Sequence, residues 1–280
     1  MSRKLGRCHR AMNIPKPGIA WLMLTAQIRA FKEKLAKGPV FGIFSKASDP
    51  AFIEAAGNAG FDYIIIDLEH GPNSVETAQG LIRGAQIAGI LPIVRVKEDR
   101  LSVIGEVLDI GAAGVQAPQI VDEASARAVV SRAKFAPAGE RGVCRFVRAA
   151  DYSSMERERY FRESNETLVI AQLEGTEALR NIESILNVAG IDIIFIGPYD
   201  LSQSLGVTGQ VDSPKVLEKM TYLVERCSRK GLVVGTFVDT LENARKWIQA
   251  GVRYISYSVD VGIFTDACRQ LVRSLGQSLG

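Results

Sequence analysis

The sequence predicts an α/β protein of the (β/α)8 TIM-barrel class, and three observations carry that prediction. Short apolar runs rich in Val, Ile and Phe recur eight times from residue 40 onward. Each is followed by a polar turn and then by a segment with helical apolar spacing. Almost all of the runs are too continuously apolar for strands with one wet face, which is the mark of a parallel sheet buried on both sides. A doubly wound open sheet is the lesser alternative, and no G-x-G-x-x-G follows any run to support a dinucleotide site.

In order, the strands are expected at residues 40–45, 63–67, 91–96, 114–118, 168–174, 193–197, 232–237 and 254–258. The intervening helices are expected at 50–59, 74–88, 100–110, 122–134, 176–187, 213–230, 241–250 and 261–275. Asp49 before Pro50, Ser74 before Val75, and Thr240 before Leu241 are starting signals, because a side-chain oxygen there accepts from an otherwise unpaired N–H. Gly60, Gly89, Gly111, Gly231 and Gly251 follow helical segments, where a left-handed residue closes the last turn. A further helical pattern over residues 24–35 precedes the first strand. Between the fourth and fifth strands lies an insertion, residues 137–152, that mixes glycine, arginine and aromatics. Long loops are usually functional, and on this fold it is expected over the catalytic face.

Charge is unevenly distributed. The 280 residues contain 34 Lys and Arg against 31 Asp and Glu, a net +3. Residues 1–32 hold seven of the basic residues and no acid, so the rest of the chain has 27 basic against 31 acidic residues, a balance of −4. The basic character therefore belongs to an N-terminal extension, residues 1–23, ahead of a single domain at 24–280, and it gives no sign of a nucleic-acid stripe on the body. The extension is preferred over a secretory or organellar leader. Cys8, Cys144, Cys227 and Cys268 are widely spaced and form no C-x-x-C, which favours a reducing, cytoplasmic setting. The longest early apolar stretch, residues 19–24, falls far short of the roughly 18–20 residues that span a bilayer, so no membrane partner is expected.

Barrel enzymes place their chemistry at the carboxyl ends of the strands. The second run ends in Asp67-Leu-Glu69-His70, the third supplies Arg95, the fifth ends Gln172-Leu-Glu174, and the sixth ends Gly197-Pro-Tyr199-Asp200. Glu174 and Asp200, on adjacent strands, can share a hard divalent cation whose open positions suit Lewis-acid catalysis. Arg95 offers a planar, permanently charged fork for an oxyanion. His70 is one of only two histidines, the other being His9, and an imidazole exchanges protons near neutral pH. Each residue also has a structural explanation, as a cap, a loop ion pair or a carbonyl-bonded histidine. Asp109, just before Gly111, by itself reads as a turn residue.

The segments Gly60-Phe-Asp-Tyr-Ile-Ile-Ile-Asp-Leu-Glu-His-Gly-Pro72, Pro92-x-x-Arg95-Val, Leu108-Asp-x-Gly111-Ala, Pro137-x-Gly-x-Arg-Gly142, Gln172-x-Glu174 and Phe195-Ile-Gly-Pro-x-Asp-Leu-Ser202 resemble the HpcH/HpaI aldolases. These are class II, metal-dependent pyruvate aldolases of the 4-hydroxy-2-oxoheptanedioate and 2-dehydro-3-deoxyglucarate type. The resemblance covers residues 24–275. It implies that Glu174 and Asp200 hold Mg²⁺ or Mn²⁺, with Co²⁺ as a further candidate, and that pyruvate binds the ion through its keto and carboxylate oxygens. Arg95 would stabilise the enolate. His70, partnered by Asp109, would exchange protons with the aldol hydroxyl through water, and Gln172 with the backbone around Tyr199 and Asp200 would contact the 2-oxo acid. The partners implied are a 2-oxo acid, an aldehyde and further copies of the chain, in a trimer or a hexamer whose last helix is exchanged between subunits.

Two features depart from the family pattern. Tyr199 stands where members often have a small residue, and the insertion reads Gly142-Val-Cys-Arg-Phe-Val-Arg148 where small residues are usual. Both would narrow or recharge the pocket. Other carbon–carbon lyase chemistry of the superfamily, oxaloacetate decarboxylation with bond formation or acyl-CoA cleavage, is the alternative, as is an inactive 2-oxo acid-binding barrel. A Schiff-base aldolase using Lys46 or Lys97 is the mechanistic rival.

Overall fold

A computed structural model of the chain describes residues 19–98 and 100–277. Eight parallel strands close into a barrel in sequence order: β1 (Val40–Ser45), β2 (Tyr63–Asp67), β3 (Leu91–Arg95), β4 (Gly114–Ala117), β5 (Leu168–Leu173), β6 (Ile193–Ile196), β7 (Val233–Val238) and β8 (Tyr254–Val259), with β8 returning to pair β1. The helices are α1 (Ile19–Lys37), α2 (Pro50–Asn58), α3 (Val75–Ala88), α4 (Val103–Asp109), α5 (Glu123–Ala133), α6 (Arg157–Ser164), α7 (Thr176–Arg180), α8 (Ile182–Leu186), α9 (Pro198–Ser204), α10 (Pro214–Arg229), α11 (Leu241–Gln249) and α12 (Asp260–Gln277). Of the predicted basic extension, residues 1–18 lie outside the described residues.

Although the strands read as unbroken apolar runs, their residues divide by parity between two cores. Ile64, Ile66, Val94, Val115, Val169 and Ile194 pack outward against the helices. Tyr63, Ile65, Leu91, Ile93, Ile170 and Phe195 point inward. Helix boundaries follow local chemistry: Asp49 accepts from the Ala51 N–H ahead of Pro50, and Gly89 closes α3 at φ 74°. The single helix expected over 176–187 is broken at Asn181, whose side-chain amide donates to the Val121 carbonyl at 2.9 Å. The segments α6 and α9 were not anticipated. α6 carries five charges in eight residues and offers almost no apolar period to read, whereas α9 starts on Pro198 directly after β6.

The insertion between α5 and β5 does not cover the catalytic face of its own barrel, which corrects the expectation. It follows a helix and precedes a strand, so the direction of the chain delivers it to the amino-terminal end of the barrel. There Ala149, Ala150, Met155 and Tyr160 join Leu24, Ile28, Phe31 and Leu35 of α1 in sealing the barrel floor. Arg148 donates to the Ile110 carbonyl at 3.2 Å, fastening the loop beneath α4.

The floor is aromatic. Tyr63 and Tyr254 stack with centroids 3.9 Å apart, and the Phe31 ring meets both edge-on at 5.9 and 6.4 Å. Gly42 makes room for this stack, since a Cβ there would lie 2.3 Å from the Tyr63 ring. Replacing Phe31 with Ala should leave a cavity under the stack and cost about 3–5 kcal/mol. Denaturant unfolding would show this as a lowered midpoint, and an unchanged midpoint would mean that α1 is not part of the barrel core.

Candidate active site

The inward parity of each strand continues to the carboxyl rim, where apolar residues give way to polar ones. Along β2 the inward series Tyr63, Ile65 ends in Asp67. Along β3, Leu91 and Ile93 lead to Arg95, and along β5, Leu168 and Ile170 lead to Gln172 and then Glu174. Arg95 and Gln172 line a cavity of about 640 Å³ above a floor of Phe44, Phe195 and Phe237, with Asp67 and Glu174 buried behind them. Its polar lining includes Lys46, His70, Arg95, Gln172, Asp200 and Asp239.

Arg95 is the most firmly held of these groups. Strand register sets Asp67 opposite Arg95. The fully buried Asp67 carboxylate accepts from Arg95 Nε at 2.9 Å and from Nη2 at 2.7 Å, a bidentate pair. Glu69 faces Nη1 at 3.1 Å, and the guanidinium lies 4.7 Å above the Phe44 ring. A guanidinium has five N–H donors, so two remain for a ligand. Burial opposes ionisation of Asp67, but the Arg95 fork and the N–H groups of His70 and Glu69 outweigh it and hold the carboxyl below its usual range. Glu69 is pushed up, chiefly by burial, with Asp67 and Asp200 adding to the effect and Arg95 and His70 opposing it.

A second chain of contacts fixes Glu174. Gln116 donates to Gln172, Gln172 donates to Glu174 Oε2, and the backbone N–H of Gln119 donates to Oε1 at 2.9 Å. Gln119 reaches that position at φ 53°, a strained conformation for a side-chain-bearing residue. Gly197 completes the cradle, since a Cβ there would stand 2.6 Å from Glu174 Oε2. Burial, with the like charges of Asp200 and Glu69, pushes the Glu174 carboxyl up to about 7. Crowded carboxylate oxygens with excess negative potential suit a hard divalent cation. Among the described residues no three His, Cys, Asp or Glu side chains form a ready cation site. The carboxylates whose charge acts on Glu174 are Asp200 and Glu69.

His70 lies at the same mouth, 58% exposed, with its Nε2 3.8 Å from Glu69 Oε2. Asp109 is not brought to it. Asp109 ends α4 close to where β4 begins, at the opposite end of the barrel, and there accepts from the buried Arg141 at 2.6 Å. Within one chain the carboxylate beside His70 is Glu69. Tyr199 extends from the first turn of α9 and donates to Asp239 just beyond β7, its ring 5.9 Å from that of Phe237. The sequence motifs pointed to His70, Arg95, Gln172, Glu174, Tyr199 and Asp200. The supporting roles of Asp67, Gln116 and Asp239 were missed, although counting by twos along each strand would have found them.

Asp67→Ala should strand the Arg95 guanidinium in a buried position and cost about 3–5 kcal/mol, since breaking one side of a buried pair is far worse than losing an exposed one. Thermal unfolding of the variant tests this, and a loss below 1 kcal/mol would show the pair to be solvent-screened.

The comparisons agree with this geometry. The family model described as HpcH/HpaI aldolase/citrate lyase matches residues 40–267. A 2-keto-3-deoxy-L-rhamnonate aldolase of Escherichia coli O17:K52:H18 is 34% identical over 243 residues, covering 86% of this chain and 90% of the relative. Among solved structures, an HpcH/HpaI aldolase/citrate lyase family protein from Burkholderia cenocepacia J2315 superposes with a TM-score of 0.83 at 30% identity, covering 88% of this chain and 98% of that one. The citrate synthase SbnG superposes at 0.79 and 29% identity over 92% and 99%. With a closed eight-stranded barrel, a carboxylate and arginine rim, and a family match across most of its length, this chain belongs to the HpcH/HpaI aldolase/citrate lyase family of carbon–carbon lyases.

Proposed function

We propose that the chain is a divalent-cation-dependent aldolase that cleaves a 4-hydroxy-2-oxo acid to pyruvate and an aldehyde, or runs the same step in reverse. The observation that carries this reading is the meeting of His70, Arg95, Gln172 and Asp200 around one cavity at the carboxyl rim, with the buried Glu174 bonded to Gln172 and close enough to Asp200 to feel its charge. The relatives named as 2-keto-3-deoxy-L-rhamnonate aldolases support a deoxy sugar acid as the substrate type.

Glu174 and Asp200 would hold Mg²⁺ or Mn²⁺, with Co²⁺ a further candidate, and such an ion supplies Lewis acidity toward the 2-oxo and carboxylate oxygens. Gln172 and the backbone at Tyr199 and Asp200 orient the 2-oxo acid. His70 takes the proton of the C4 hydroxyl through a water molecule. The C3–C4 bond then breaks, C4 leaves as the aldehyde, and the bonding electrons move to the C2 oxygen as an enolate. The two unused N–H donors of Arg95 stabilise that negative charge, with Asp67 and Phe44 keeping the guanidinium in place. Protonation of C3 completes pyruvate. Asp109 acts on His70 only where the far end of one barrel meets the mouth of another.

A homo-oligomer, trimeric or hexameric with α12 exchanged, belongs to this reading. It is supported by the exposed Val261, Phe264, Leu271 and Val272 along that helix. A cytoplasmic setting is part of it too, and among the described residues Cys144, Cys227 and Cys268 are free. No described helix is long and apolar enough to cross a membrane.

Pyruvate release coupled to lactate dehydrogenase, with 4-hydroxy-2-oxo acids as substrates, tests the reading. EDTA should abolish the activity and Mn²⁺ should restore it, whereas full activity after EDTA treatment would overturn the cation's role. Arg95→Ala should lower kcat by about 10²–10³, the loss expected for a missing oxyanion donor. Trapping of a pyruvate adduct on Lys46 by borohydride would replace this mechanism with a Schiff-base one.

A further inference from the structure

Opposite the Arg95 side of the cavity, one pair of side chains takes no part in the mechanism above. Tyr199 reaches across from α9 and donates its hydroxyl to Asp239 Oδ2, leaving the other carboxylate oxygen for a ligand. Both residues line the cavity, and both are solvent-accessible at its mouth.

The charge distribution gives the pair its meaning. Asp67 and Glu69 are answered by Arg95, and Lys46 is turned toward Asp67, with Nζ 3.9 Å from Oδ2. Glu174 and Asp200 are the donors for a cation. The Asp239 carboxylate has a neutral phenol as its partner, so this wall keeps its negative charge. A carboxylate-terminated aldehyde approaching it meets repulsion. A hydroxyl on the carbon next to the aldehyde finds an acceptor.

We propose that Tyr199 and Asp239 form the specificity-determining wall of the aldehyde subsite, selecting neutral hydroxyaldehydes and rejecting carboxylated ones. This inference rests on the aldolase reading. Exchange of pyruvate C3 protons with deuterium, followed by NMR in the presence of Mn²⁺, reports enolate formation without any acceptor and so tests that reading by itself.

The acceptor test is the ratio of kcat/KM for lactaldehyde to that for propionaldehyde, and to that for succinic semialdehyde, in aldol addition of pyruvate. The wild-type enzyme should favour lactaldehyde over each by at least about tenfold, a modest ratio because the polar contact sits at a solvent-accessible mouth. Asp239→Asn and Tyr199→Phe should each reduce the lactaldehyde to propionaldehyde ratio, and Asp239→Asn should also raise succinic semialdehyde relative to lactaldehyde. A merely structural wall would lower all three rates together and leave the ratios unchanged, which overturns the proposal. Wild-type preference for succinic semialdehyde or propionaldehyde also overturns it while proton exchange persists. Absence of both exchange and addition removes the aldolase reading and this inference with it.

Discussion

Every second residue of a strand in a closed barrel points toward the axis, and the axis of this barrel has two ends with different solvents. At the amino-terminal end, α1 and the segment before β5 seal the interior, so the inward residues there can be Tyr63, Tyr254, Ile65 and Phe195. At the carboxyl end no described segment closes it, and the same parity delivers Arg95 and Gln172 to a wet cavity, with Asp67 and Glu174 buried behind them. The polar rim and the aromatic floor are two halves of one geometric constraint, set by the twofold period of a strand and by closure of the sheet.

That constraint explains why a permanently charged guanidinium can sit 8% exposed at the top of a core. Register places Asp67 beside Arg95 on neighbouring strands, so the charge is met by a bidentate partner supplied by the sheet and not by a mobile loop. Precision follows, because a strand end is positioned by its ladder hydrogen bonds on both sides. The Gln116, Gln172 and Glu174 chain repeats the device across β4 and β5. Where the backbone must leave ideal geometry to finish the cradle, it does so locally, with Gln119 at φ 53° and Gly197 without a Cβ.

The two ends also divide the functions of the unexpected segments. The arginine-rich insertion looks functional by length and composition, yet chain direction puts it beneath α4, where Arg141 answers Asp109 and Arg148 caps the Ile110 carbonyl. Variation in the pocket instead enters through short stretches at the rim, such as Tyr199 in the first turn of α9 and Asp239 at the end of β7. A family match over residues 40–267 fixes the class of chemistry.

Periodicity and caps determined the eight strands within a residue or two at each end, because buried parallel strands need continuous apolar runs and helices need polar starts and glycine stops. The motifs at strand ends also pointed to His70, Arg95, Gln172, Tyr199 and Asp200, which the structure brings to one cavity, since chain direction in an alternating β/α sequence already says which residues share an end of the barrel. Three things were decided only by tertiary structure. Partners distant in sequence, such as Tyr199 with Asp239 and Gln116 with Gln172, depend on strand register and on the reach of a side chain across the cavity. The separation of Asp109 from His70 depends on which end of α4 faces which end of the barrel. The break at Asn181 depends on a carbonyl 60 residues away that local propensity cannot contain.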